Sequence, residues 1–224
     1  MDFLQTFFAE YGELLALGTW ETIVMTVVST LGAYVFGIPL GVALVLTDPK
    51  GLKPHRALNT VLGWIVNMGR SIPFIILLVV LIPVTRIVMG TSLGVPGAIF
   101  PLIVAAAPFV ARMVEQSIAD VDGGLVEAAQ SFGASTWQIV LKVFMVESLP
   151  SLIRGFAITF ITLFGYTAMA GCIGAGGLGD IAIRYGYQRY QEDVMIATLV
   201  ITVILVQIVQ SASDLVVRKV DKRK

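Results

Sequence analysis

Charge is what this sequence has least of. Asp, Glu, Lys and Arg make up 13% of its 224 residues, and hydrophobic residues 57%. Soluble domains carry about a quarter charged residues, so the chain lacks the polar surface to cover a water-exposed globule. Cysteine and histidine each occur once, as Cys172 and His55, which excludes an internal disulfide and a metal cluster. Cys172 reads as a small packing residue near a helix end. A G-x-x-x-x-G-K-[ST] loop is also missing, so the chain cannot bind ATP in that way by itself. No cofactor of its own, no enzymatic activity and no nucleic-acid partner are expected.

The few charges are also segregated. None lies between Glu21 and Asp48, Arg86 and Arg112, Arg154 and Asp180, or Asp193 and Asp214. A fifth run, Ala57 to Thr85, is broken only by Arg70. Each run reaches the roughly 20 residues that an α-helix needs to cross a bilayer core of about 30 Å. In lipid every backbone amide needs an internal partner, so the spans must be helical. The expectation is an all-α polytopic membrane protein with five transmembrane helices, a single domain over residues 1–224.

Five spans place the two termini on opposite sides, and basic residues set the direction. With the N-terminus outside, eleven Lys and Arg are cytoplasmic: Lys50, Lys53, Arg56, Arg112, Lys142, Arg154, Arg218, Lys219, Lys222, Arg223 and Lys224. The outer segments hold only Arg86, Arg184 and Arg189. The C-terminus is therefore expected in the cytoplasm. The tail before the first span has no basic residue and the span is too long for an h-region, so no cleavable signal is expected.

The cytoplasmic connection after the third span is far longer than a turn requires, and long connections tend to carry function. From Val121 it reads VDGGLVEAAQSFGASTWQIVLKVFMVESLPSLIR. Asp122 can cap a helix carrying Leu125, Val126, Ala129 and Phe132, with Gly133 as its stop. Ser135 with Gln138 then makes a capping box for a second helix carrying Trp137, Ile139, Val140 and Val143. On pattern alone, this helix–glycine–helix unit suits an amphipathic hairpin resting on lipid headgroups.

The residues Glu127-Ala128-Ala129, three more, then Gly133 resemble something narrower, the EAA loop of bacterial ATP-binding-cassette importer permeases. The likeness extends to RSIPFIILLV (Arg70 to Val79), AAPFVARMVE (Ala106 to Glu115) and GYTAMAGCIGAGGLG (Gly165 to Gly179). From about Trp20 to Arg218 the chain is similar to the methionine importer permeases of that superfamily. The resemblance implies a homodimer of five-span subunits in the lipid of the bacterial inner membrane. It further implies two ATPase subunits beneath, which bind the ATP, and a periplasmic methionine-binding lipoprotein above. The loop at about 121–150 would dock a coupling helix in a groove on the ATPase. There Glu127 would meet a basic partner, Ala128 and Ala129 would allow close approach, and Gly133 would permit the turn. The family's Ile-x-Leu-Pro falls on Val143, Phe144, Met145 and Val146, so its proline is missing and the next is Pro150.

The implied substrate is methionine, D or L, with another small amino acid or a hydrophobic solute as alternatives. Outside the family, the chain could be an ion-coupled secondary transporter or a non-transporting assembly subunit. Ion-coupled transporters usually place ionisable residues at mid-membrane, and this chain offers only Arg70.

Arg70 is expected in the inner half of span two. It either snorkels to carbonyls near the cytoplasmic interface or pairs with a partner or substrate carboxylate, and its modest depth favours the first. On span four, Thr159, Thr162, Tyr166 and Met169 recur at helical spacing and form a mildly polar stripe. The stripe reads as a translocation path, or as threonines bonded back to their own helix. Gly174, Gly176 and Gly179 spell the dinucleotide signature G-x-G-x-x-G, but such a loop follows a strand in a βαβ unit, and here it ends a membrane span. The uncharged run from Gly155 to Gly179 would be about 37 Å long as a helix, more than the ~30 Å core. The helix is expected to end near Gly171. Gly174, Gly176, Gly177 and Gly179 would then form a positive-φ turn closing the outer face, near the dimer axis or the binding-protein contact.

Overall fold

The computed structural model describes residues 3–220, and every regular element among them is a helix. Lys222, Arg223 and Lys224 of the C-terminal basic cluster lie outside the described residues. Helix α1 (Phe3–Thr47) has 45 residues, about 67 Å at ~1.5 Å per residue and twice a membrane core. It starts well before the uncharged run that defines the first span. Its outer third is held by packing: Leu15 is buried with Ile181 and Val194 from the far end of the chain.

The second apolar run does not form the single straight span expected of it. Helix α2 (Arg56–Ser71) and helix α3 (Phe74–Val80) are bent by 101° at Ile72–Pro73, and helix α4 (Ile82–Met89) follows. The cause is local. A proline ring clashes with a helical residue before it, and Ile72 is accordingly extended, at φ −83 and ψ 123.

Helix α5 (Gly94–Ala119) packs against α1 along a seam of small residues. A Cβ at Gly37 would lie 2.6 Å from Val110 Cβ, and one at Gly41 would lie 2.7 Å from Val114 Cβ. Small residues let membrane helices approach this closely. The stretch GIPLG, Gly37 to Gly41, carries the G-x-x-x-G spacing that signals such a face. Met25, Leu102, Val110, Val114 and Leu163 fill the centre and are fully buried.

The long connection between α5 and the fourth apolar run contains α6 (Gly123–Ser131), α7 (Thr136–Ile139), a π-helical turn (Val140–Phe144) and α8 (Met145–Glu147). The second helix of the expected pair therefore runs on, through the π turn, almost into the fourth span. It breaks only at Ser148, whose hydroxyl donates to the Phe144 carbonyl. Pro150 lies in the first turn of α9 (Leu149–Gly171), where its missing N–H costs nothing. That is how the helix ends with Val146 in place of the family proline. Helix α9 stops at Gly171, as its length requires. Helix α10 (Gly177–Ile181), a second π turn (Ala182–Tyr187) and α11 (Glu192–Val220) complete the chain. Four helices (α1, α5, α9 and α11) are long and apolar enough to cross a membrane, and the count is five if the bent α2–α3 pair is one span.

Candidate functional site

The candidate residues fall at three levels along α9: the approach to its N-terminus, its middle and its C-terminal end. At the approach, Asp122 caps α6 by accepting from the Gly124 N–H at 2.7 Å. Gly133, at φ +76, ends the helix, with Gly133 N–H donating to the Gln130 carbonyl and Ala134 N–H to that of Ala129. The capping box forms as its residue types dictate: Ser135 N–H donates to Gln138 Oε1 at 2.7 Å, and Gln138 N–H to Ser135 Oγ. Helix α6 buries no residue of its own. Glu127 and Ala128 are exposed, Ala129 is half-buried, and Phe132 is 92% exposed. Just behind, Ile139, Val140 and Phe144 are buried in the main core with Val114 and Ile118 of α5. Helix α6 rests on that base through Val126 and Ala129 and leaves its other face exposed.

In the middle, Arg70, Phe74, Thr159, Thr162 and Tyr166 line a cavity of about 180 Å³. Phe74 and Tyr166 stack with parallel rings, centroids 4.6 Å apart. The Thr159 and Thr162 hydroxyls donate to the Gly155 and Ile158 carbonyls, each at 2.8 Å. The threonines bond back to their own helix and also line the cavity. Met169 lies outside the cavity lining and is 46% exposed.

Arg70 lies fourteen residues beyond Arg56, about 21 Å along α2, and is exposed at the edge of the cavity. Its guanidinium has no hydrogen-bond or ion-pair partner among the described residues. The neighbouring Arg112, by contrast, pairs with Glu115 at 2.6 Å and donates to Asn67 Oδ1 at 2.7 Å.

At the C-terminal end the glycines take the turn. Gly174, Gly176 and Gly177 have φ of +91, +81 and +79. Gly179 serves close approach instead: a Cβ there would crowd the Ala168 carbonyl of α9. The turn is tied on two sides. Gly94 N–H donates to the Gly174 carbonyl at 2.9 Å. From α1, Glu21 Oε2 accepts from Gly177 N–H at 2.7 Å and Thr22 Oγ1 from Leu178 N–H at 2.9 Å. Glu21 and Thr22 were not among the residues the sequence singled out. The only signal was that Glu21 is the last charge before a long uncharged run.

Residues 33–223 match the family described as binding-protein-dependent transport system inner membrane component. The probable D-methionine transport system permease protein MetI of Vibrio cholerae serotype O1 is 48% identical over 216 residues, 96% of either chain. The methionine import system permease protein MetP of Bacillus subtilis strain 168 is 45% identical, over 80% of this chain and 81% of its own. Among solved structures, an inward-facing form of the MetNI methionine ABC transporter matches with a TM-score of 0.94 at 49% identity. That match covers 95% of this chain and 99% of the other.

Proposed function

The chain belongs to the binding-protein-dependent transport system inner membrane components, and on that premise we propose that it is the membrane-spanning subunit of an ATP-driven methionine importer. It works as a homodimer in the bacterial inner membrane. A separate ATPase subunit, two copies, binds and hydrolyses the ATP, and a periplasmic methionine-binding protein delivers substrate from the other side. The C-terminus and the α6 loop face the cytoplasm, in keeping with the distribution of basic residues.

The observation that carries this reading is the projection of α6 from a buried base. An element with no buried residue, an exposed Glu127 and an exposed Phe132 has its contact surface outside the chain. A push on α6 passes through the packed Ile139, Val140 and Phe144 into α5 and α9. Packed cores respond to such a push by moving as units rather than deforming. Helix α9 carries Thr159, Thr162 and Tyr166 at its middle and the glycine turn at its outer end. One rigid helix therefore links the ATPase contact, the translocation path and the outer closure. Gly174, Gly176, Gly177 and Gly179 shape that closure, which needs no nucleotide. The experiment is copurification with the ATPase followed by uptake of labelled methionine, with and without that subunit. Methionine uptake that needs the ATPase is expected, and uptake of equal rate without it would contradict the reading.

A further inference from the structure

Arg70 lines the cavity without a partner among the described residues, whereas Arg112 is committed to Glu115 and Asn67. A charge left unpaired within a membrane span is costly, so it marks a pathway or a ligand by default. We propose that the cavity is a transient amino-acid site in which the Arg70 guanidinium binds the substrate's carboxylate. The stacked Phe74–Tyr166 pair holds the apolar side chain. This assignment rests on the methionine-importer reading.

Each chemical part of a zwitterionic amino acid finds a counterpart there. The planar guanidinium offers two parallel N–H donors, which match a carboxylate. Thr159 and Thr162 spend their protons on their own helix. The Thr162 oxygen keeps lone pairs that can accept from an ammonium group, whereas Thr159 is 1% exposed and its side chain also hydrogen-bonds Tyr34. The Phe74–Tyr166 stack presents aromatic surface, which a thioether contacts favourably. The volume, about 180 Å³, lies below the roughly 300 Å³ at which pockets for drug-sized ligands begin, so it selects for a single small solute. Its place on α9, between the coupling end and the glycine turn, lets a shift of that helix change which side the site opens to.

The test uses the chain in complex with its ATPase. Cys172→Ser removes the native cysteine, and Thr162→Cys, or Ala105→Cys in a second preparation, supplies a reporter inside the cavity. Labelling of this chain by N-ethylmaleimide is followed by mass spectrometry. L-methionine should slow labelling, and methioninol, which carries an alcohol in place of the carboxylate, should not. Arg70→Gln should raise the half-protecting methionine concentration about tenfold or more, and Arg70→Lys should rise less. The site is overturned if methionine gives no protection at either reporter, if methioninol protects equally, or if Arg70→Gln changes nothing. The methioninol comparison needs no Arg70 variant, so it decides even if Arg70→Gln does not assemble. Methionine uptake by the unsubstituted complex is measured alongside. Its absence would count against the importer reading instead.

Discussion

At the level of single residues, the structure separates local causes from distant ones. Gly133 sits at φ +76, where a β-branched residue costs about 1–3 kcal/mol. Gly133→Val should deform the α6 turn, and Glu127→Lys should reverse the charge at its exposed face. Both should cut ATPase copurification and methionine uptake about tenfold or more while circular dichroism stays unchanged. Normal copurification of both variants would remove α6 as the docking element. At the outer end, Glu21→Ala leaves the Gly177 N–H without its carboxylate. A hydrogen bond to a charged group contributes about 1.5–3 kcal/mol. Melting temperature in detergent should fall in the order wild type, Glu21→Gln, Glu21→Ala, because Gln keeps an acceptor. Equal melting temperatures would mean that the tie adds nothing. The Asp122 cap, the Ser135–Gln138 box and the positive-φ glycines were legible in the sequence because cause and effect lie within a few residues. Glu21 was not, because its partner Gly177 is 156 residues away.

At the level of elements, the apolar runs foretold several membrane-length helices but not the shape of the second run. Pro73 carried the signal for the 101° bend, and the unbroken hydrophobicity of residues 71–85 masked it. The excess length of the run ending at Gly179 did reveal where α9 stops, since helix rise and bilayer thickness are both fixed. The extension of α1 outward to Phe3 was hidden by Glu10, Glu13 and Glu21, which end an apolar run but not a helix. The stripe on α9 divides in the structure: Thr162 lines the cavity, and Met169 lies outside it. Thr162→Phe should therefore slow uptake several-fold with assembly intact, by filling space in a cavity of about 180 Å³. Met169→Trp should slow it less. The reverse order in an uptake assay would move the path away from the cavity.

For the molecule as a whole, composition already dictated a membrane protein, and the asymmetry of basic residues predicts a direction. A cysteine at Lys53 should resist an impermeant reagent in intact, outer-membrane-permeabilised cells, and one at Gln188 should react. Reaction at Lys53 would invert the topology. What the single sequence could not display is whatever depends on elements meeting in space. The cavity around Arg70 exists only because the bent second span, α5 and α9 converge there. Helix α11 packs on α9 and on the second π turn and is exposed over most of its apolar surface. The central claim is that this chain moves methionine on the power of a partner's ATP hydrolysis. Its most direct test is uptake into proteoliposomes holding the chain, its ATPase and its binding protein, with ionophores abolishing every ion gradient. ATP alone should drive accumulation, and omitting either ATP or the ATPase should abolish it. Accumulation driven by a proton or sodium gradient in the absence of the ATPase would contradict the account.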